Sequence, residues 1–169
     1  QGEDAPNISG KFFGSGGARL NNAGVVIFGA GVDTDGDSVS NVSGFFKESQ
    51  GIKSKIVATG EMTATTIGTL NFLDVNAYGL RPAPINDTGD MVFSGVWDAA
   101  GSRHNGIFLT AAGVITKLFQ SGESVTVSRG TGIFSDVRAG PINNKGDIAF
   151  TASVVVNGSG SSYAFLAPS

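Results

Sequence analysis

The sequence predicts an all-β protein made of three tandem repeats of about four antiparallel strands each. A motif with Asn, Gly and Phe at constant spacing occurs three times, apolar residues alternate with a period of two, and glycine is abundant, at 26 of 169 residues. Alternation with a period of two is typical of a strand with one packed face, and glycines mark the turns between strands. The three copies of the motif lie at 20–28, 85–93 and 142–150.

Two further blocks recur in the same order and set the limits of the repeats. The first, a Gly or aromatic residue leading into a Phe, lies at 44–46, 106–109 and 163–166, and the second, an apolar strand that begins with Lys and ends in Gly-Glu, lies at 55–61 and 117–123. The start of the chain, Gly2-Glu3, matches the end of the second block. We therefore predict a single β-repeat domain over 1–169. Its repeats span 1–59, 60–121 and 122–169.

Each Asn-x-x-Gly motif predicts the tight turn between the first two strands of a repeat. The Asn side chain can hydrogen-bond to the turn backbone, and Gly accepts a positive φ without Cβ strain. After the turn of the second repeat, Met91, Phe93 and Trp97 alternate with Val92 and Val96, which favours a strand with one face in the core. The predicted turn residues are Asn21, Gly24, Asn86, Gly89, Asn143 and Gly146.

The first strand of each repeat is less regular in sequence. Residues 72–75, Phe-Leu-Asp-Val, align with residues 134–137, Phe-Ser-Asp-Val, and Phe12 and Phe13 lie at the corresponding place in the first repeat. This alignment predicts that Phe72 and Phe134 are structural counterparts.

The third repeat stops at Ala167-Pro168-Ser169, directly after its third strand, so we expect it to lack its final strand. An edge without that strand carries unpaired N–H and C=O groups, which a strand from another subunit can satisfy. A β-propeller needs about four to eight blades to close. The sequence therefore leaves open a ring built from two chains of blade-like repeats and an open array of stacked sheets.

Composition and charge limit the function further. With 15% charged residues and a net charge of −3, the chain has no basic surface for nucleic acid, and its apolar surface favours self-association. It has no cysteine for disulfides or thiolate metal sites and no apolar run long enough to span a membrane. Because the chain opens at Gln1 without a signal segment, we expect an exported mature form, extracellular or on the cell surface, whose signal peptide has been removed.

The three motifs resemble the NxxGxxxF signature, also written NxxGxxAF, of a family of bacterial tandem-repeat surface proteins. The residues that carry the resemblance are Asn21, Gly24 and Phe28, Asn86, Gly89 and Phe93, and Asn143, Gly146 and Phe150. The third copy has the strict form, whereas the first has Val25 where an acidic residue usually follows the Gly. The resemblance covers nearly all of the chain and implies export and a repetitive, propeller-like β architecture. It implies no enzymatic activity.

The loop after the second strand of the first repeat has the pattern Asp-Thr-Asp-Gly-Asp-Ser. Alternate aspartates with a glycine that bends the chain are how calcium loops gather oxygen ligands. We therefore predict calcium, the only cofactor indicated, at Asp33, Asp35 and Asp37. The other interpretation is a solvated turn, because Asp and Gly are also preferred in turns without an ion.

The sequence predicts no enzyme. It has no cysteine nucleophile and a single histidine, His104, in a loop without a nucleophile motif. Most of the acidic residues lie at repeat turns. Asp74 and Asp136 recur near Arg81 and Arg138, which indicates ion pairs within the repeats.

Two kinds of carbohydrate contact remain open. Trp97, Tyr78 and Tyr163 could form a sugar-stacking face, although the alternation of the strand favours Trp97 in the core. Asn-x-Ser/Thr sequences make Asn7, Asn41 and Asn157 candidate glycosylation sites, and Asn86 has the same sequence but is also a turn residue.

These observations predict a non-enzymatic extracellular structural protein. We expect it to be a self-assembling subunit of a surface layer, matrix or filament that uses strand complementation at its open edge. The alternative is a carbohydrate-binding, lectin-like surface module, which would expose aromatic rings on one rim. A hydrolase is the weakest reading, because it would need carboxylates clustered in a cleft.

Overall fold

The computed structural model describes residues 2–60, 69–73, 85–99 and 101–168. Their regular secondary structure is β-strand, which confirms the predicted all-β class, and none of them forms a helix long and apolar enough to cross a membrane. The strands are β1 (Lys11–Leu20), β2 (Val26–Asp33), β3 (Val42–Ser49), β4 (Ile52–Ala58), β5 (Thr69–Leu73), β6 (Met91–Ala99), β7 (Ser102–Ala111), β8 (Val114–Gln120), β9 (Ser124–Val127), β10 (Gly130–Ile142), β11 (Ile148–Val156) and β12 (Ser159–Ala167).

The strands form three antiparallel sheets, one for each repeat, as the sequence predicted. The first sheet has the order β1-β2-β3-β4, the second β5-β6-β7-β8 and the third β9-β10-β11-β12. In the third sheet, β10, β11 and β12 correspond to the first three strands of the other repeats, and no described strand pairs with the outer edge of β12. Its fourth strand, β9, lies at the opposite edge beside β10, an addition that the sequence did not predict.

The three Asn-x-x-Gly turns share one geometry. In each, the Asn carbonyl accepts a hydrogen bond from the N–H of the Gly. The Asn side-chain Oδ1 accepts a second bond from the N–H of the residue after the Gly, at 2.8 Å in the first two repeats and 3.0 Å in the third. The three glycines have φ between 77° and 91°, a left-handed conformation that favours glycine. The motif therefore recurs because this turn needs both residue types.

The sheets stack face to face with the second sheet in the middle. The first interface contains Ile27, Phe45 and Val57 of the first sheet and Met91, Phe93, Trp97, Phe108 and Ile115 of the second. The second interface contains Val92 and Ile107 of the second sheet and Phe134, Val137, Phe150 and Val154 of the third. Alternate residues of β6 thus face opposite neighbours, because successive side chains of a strand point to opposite sides.

The two ends of the stack differ from its interior. The outer face of the first sheet is covered by the residues before β1, with Ala5 buried against Phe12 and Phe46. On the outer face of the third sheet, the register of β11 and β12 puts Ala149 where the other sheets have Ile27 and Val92, and Ala164 where they have Phe45 and Ile107. At these two positions the third sheet therefore lacks the large apolar side chains by which the first two sheets bind the next one, although Leu166, opposite Ala149, is 71% exposed on the same face.

The alignment predicted for the first strand of the second repeat is wrong. Phe12 pairs with Val32 and Phe134 with Val154, and the residue at the same register position of β5 is Leu70, opposite Trp97. Leu70 lies ten residues after Gly60, just as Phe12 lies ten residues after Gly2. The second repeat has its extra length between β5 and the turn, so the similarity at 72–75 was shifted by two residues.

Candidate functional site

The three aspartates predicted to bind calcium lie together in the β2–β3 loop. One carboxylate oxygen from each of Asp33, Asp35 and Asp37 lies within 4.8 Å of the others. The Asp33 carboxylate also accepts backbone N–H groups of the same loop, from Gly36 at 2.7 Å and Ser38 at 3.0 Å, and the bond from Gly36 is the main cause that lowers the pKa of Asp33. A turn rich in Asp and Gly forms such bonds without an ion. Calcium binding therefore stays a prediction.

The residues considered for catalysis or sugar stacking are not brought together. His104 is half-buried on β7, opposite Trp97, with 5.2 Å between the ring centroids. Trp97 is 2% exposed in the interface of the first two sheets, and Tyr163 is partly buried against the interface of the second and third sheets. Among the residues whose side chains the structure describes, no aromatic ring is fully exposed. Tyr78 lies outside the described residues.

The recurrent acid–base pair is described in the third repeat only. Arg138 Nε lies 3.0 Å from Asp136 Oδ2, both side chains partly exposed on β10, as the sequence predicted. Asp74 and Arg81 lie outside the described residues. A second pair, which the sequence analysis missed, joins Lys117 Nζ to Glu123 at 2.6 Å and ties the end of β8 to the start of the third repeat.

The candidate glycosylation sites divide by exposure. Asn7, Asn41 and Asn157 are exposed, whereas Asn86 is 4% exposed and serves its turn. The Asn41 side chain also accepts hydrogen bonds from Thr34 through its Oδ1, which leaves its Nδ2 for a glycan. Glycosylation at the three exposed positions stays a prediction.

The signature turns of the three repeats are hydrogen-bonded to one another, and we call this arrangement the turn ladder. Asn21 Nδ2 donates to the carbonyl of Asn86 at 2.9 Å. The Asp87 carboxylate accepts hydrogen bonds from Asn22 of the first repeat and Asn144 of the third. Hydrogen bonds from both asparagines lower the pKa of the Asp87 carboxyl, and the bond from Asn22 has the larger effect. The ladder joins all three sheets along the side of the stack on which the Asn-x-x-Gly turns lie.

The departure of the first motif from the family pattern has a structural role. In the second and third repeats, the acidic residue after the Gly accepts a hydrogen bond from the Asn Nδ2 at 2.9 Å, within its own turn. In the first repeat this residue is Val25, which cannot accept that bond. The Nδ2 of Asn21 is thereby free to join the second repeat.

The outer edge of β12 differs from the other sheet edges in the described part of the chain. Native edge strands are usually protected by charges, bulges or short length. β4 and β8 carry Lys and a register shift, β1 carries Lys11 and Arg19 and two register shifts, and β5 and β9 are only five and four residues long. β12 has nine residues, no charge and an unbroken register with β11. It is therefore the edge most open to pairing with another strand.

An apolar groove of about 600 Å³ runs beside this edge. One side is formed by Leu118 and Phe119 of β8, and the floor by aromatic rings of the third sheet, with Phe119 stacked on Phe150 at 4.5 Å between centroids. The remaining lining residues are Glu123, Ser124, Val125, Phe134, Phe165, Leu166, Ala167 and Pro168. Sequence reasoning predicted the open edge but missed the groove. The signal was Phe119, which occupies the position of Val57 in the repeated fourth strand.

The comparisons with known proteins give a family but no activity. Neither the curated proteins nor the solved structures contain a match to the chain. The model of a family of unknown function, DUF7453, matches residues 1–165. Since this match covers nearly the whole chain, the protein with three stacked sheets and a free edge at β12 belongs to the DUF7453 family.

Proposed function

We propose that this chain is a non-enzymatic extracellular structural protein whose copies assemble into a surface layer, matrix or filament by adding a strand at β12. The observation that carries the proposal is the uncharged, unbroken outer edge of β12. A strand of this kind offers a row of free backbone donors and acceptors to another chain. The extracellular location comes from the resemblance to exported repeat proteins.

The ends of the stack support assembly through an edge rather than through a face. A further sheet packed on the third one would meet Ala149 and Ala164 at two positions where the other sheets have large apolar side chains, with Leu166 as the exposed apolar residue beside them. At the other end, the residues around Ala5 already cover the first sheet. Burial of large apolar side chains supplies most of the free energy of sheet stacking, so both ends favour it less than the two interfaces inside the stack do.

The carbohydrate-binding alternative has less support. Lectin-like recognition needs an aromatic ring that is open to solvent beside polar groups. In the described part of the chain, Trp97 is buried and Tyr163 packs against the interface of the second and third sheets. A structural role therefore accounts for more of the molecule.

Sedimentation velocity over a range of concentrations tests the proposal. We expect the wild-type chain to form assemblies, and Leu166→Lys to weaken them about tenfold or more, because Leu166 is 71% exposed on β12 and a charge opposes strand pairing at an edge. Ile52→Lys is the matched control, since Ile52 is 72% exposed on the edge strand β4. A wild-type chain that stays monomeric at all concentrations, or equal loss of assembly in both variants, would contradict the proposal.

A further inference from the structure

The second repeat shows what occupies the place beside the third strand of a sheet. Met91 of β6 pairs with Thr110 of β7, and Thr110 pairs with Ile115 of β8. In the third repeat, Ile148 pairs with Ala167 in the same way, but no described residue pairs with Ala167 on its other side. The position of Ile115 is thus unfilled in the third sheet.

The surroundings of that position are the same in both repeats. Ile115 is 9% exposed and packs in a cluster with Val57, Phe93 and Phe108, with Ile56 beside it. The counterparts of these wall residues in the third repeat line the open groove. They are Phe119, Phe150, Phe165 and Leu118. The groove therefore has the walls that enclose Ile115 in the second repeat and lacks the side chain that fills them.

We infer that this groove binds an extended polypeptide segment of the β8 type, which pairs antiparallel with β12 and places an aliphatic side chain opposite Ala167. The inference rests on the proposed function, because it takes β12 to be the edge at which a strand is added. It goes further in naming the occupant. A segment of this type satisfies the backbone of β12 and buries the apolar floor in one step.

The charge at the groove decides between the two strand types that the chain itself offers. The counterpart of Ile115 in β4 is Lys53, which donates to Glu3 at 2.7 Å. The counterpart of Glu3 at the groove is Glu123, whose carboxylate already binds Lys117 Nζ at 2.6 Å and the N–H of Gln120 at 3.0 Å. An incoming lysine would find this acid paired and would lie over aromatic rings. The groove therefore selects an aliphatic residue.

The occupant must arrive as a free extended segment. Ile115 is buried in the core of its own stack, so a second copy that adds a strand at β12 must supply a segment that is not held in its sheets, rather than its folded β8, which would lose that contact. A segment that is not held in a sheet carries no such cost beyond its own ordering.

A synthetic peptide with the sequence of residues 112–121 tests the inference, with binding measured by calorimetry on the whole chain. Two controls are a peptide with Ile115→Ser and a peptide of residues 50–59, in which Lys53 takes the same position. We expect both controls to bind about tenfold or more weakly, as loss of one buried aliphatic side chain implies. Hydrogen exchange should show protection of the β12 amides by the first peptide.

The outcomes separate the two proposals. Absence of binding by the first peptide, equal binding of the Ile115→Ser peptide, or binding without protection of β12 would overturn the inference. If the peptide binds as expected while the chain sediments as a monomer, the inference stands and the proposed self-assembly fails. If the chain assembles but the peptide does not bind, assembly proceeds through β12 without the groove, and the inference fails alone.

Discussion

The second and third repeats share a motif, a turn and a set of core phenylalanines, yet they differ beside their third strand. In the second repeat, β8 pairs with β7 and Ile115 closes the cluster around Phe93 and Phe108. In the third, no described strand pairs with the outer edge of β12, and the corresponding rings line a groove. Phe108 is fully buried, whereas its counterpart Phe165 is only half-buried.

This difference teaches that the repeated sequence specifies the sheet, while the neighbouring strand completes its core. The backbone pairing of β10, β11 and β12 forms without a fourth strand on that side. Phe150 is already 4% exposed, but Phe165 stays half-buried until another strand covers it, because apolar area remains exposed at the edge. Phe108 and Phe165 hold the same position in their repeats, and we therefore expect them to contribute differently to stability.

The largest expected effect comes from truncating the matched phenylalanines. Phe108→Ala should lower the free energy of unfolding by about 3–5 kcal/mol, because a fully buried ring leaves a cavity. Phe165→Ala should cost only about 1–2 kcal/mol, because less area leaves water when the ring packs. Urea unfolding of the two variants measures both. Equal costs would mean that the groove is covered in solution, and saturating peptide should raise the cost of Phe165→Ala alone.

The turns offer a second comparison of the same two repeats. Asn86 is 4% exposed, and its carbonyl also accepts the bond from Asn21, whereas Asn143 is exposed. Asn86→Ala should cost about 1–3 kcal/mol, because it removes a buried side chain and leaves the partly buried N–H of Asp90 without its acceptor. Asn143→Ala should cost about 1 kcal/mol or less. Thermal unfolding separates them, and a larger loss for Asn143→Ala would contradict this account of the turns.

The turn ladder gives a pH dependence with a defined sign. Hydrogen bonds from Asn22 and Asn144 lower the pKa of Asp87 below its ordinary value of 3.8, so the ionised form is favoured in the folded chain. Its contribution to stability is present above about pH 3.8 and is lost as the pH falls through the lowered pKa.

A variant without this carboxylate measures that contribution. Asp87→Asn should melt below the wild type at pH 6, and the difference in Tm should shrink as the pH falls below 3.8. Asn144→Ala removes one donor to this carboxylate and also the acceptor of the Asp87 N–H, so only part of its difference in Tm should shrink as the pH falls. A difference in Tm that is constant with pH would rule out the carboxylate as its source.

The smallest expected effect concerns the loop that has no acidic counterpart in the other repeats. If Asp33, Asp35 and Asp37 bind calcium, as their spacing predicted, Tm should rise in millimolar calcium and return with a chelator. Asp35→Asn should remove the rise, since Asp35 is one of three grouped carboxylates. An unchanged Tm in the wild-type chain would leave the loop as a turn held by its own hydrogen bonds.

Much of the fold follows from local signals. The turn at Asn86 and Gly89 was predictable because few residue types accept its backbone geometry and its hydrogen bonds. The strand after it was predictable because Met91, Phe93 and Trp97 repeat with the period of a strand. The register of β5 was not predictable, because the extra residues between this strand and the turn have no pattern of their own. Phe72 was therefore aligned with Phe134, although Leu70 holds the corresponding position.

The candidate site was predictable only in part. The phase of the repeats located the third strand of the last sheet, since Phe165 aligns with Phe46 and Phe108. The groove depends on Phe119 and Phe150, which are 31 residues apart and meet only when the second and third sheets stack. No spacing along the chain encodes that contact.

The sequence by itself determined the three β repeats and their turns, because these depend on residues within one repeat. The tertiary structure decided how the repeats are joined. It put Asn21, Asp87 and Asn144 into one ladder, made the outer face of the third sheet an end of the stack, and set Phe119 over the third sheet. Contacts between sheets depend on side chains about sixty residues apart, and only packing brings them together.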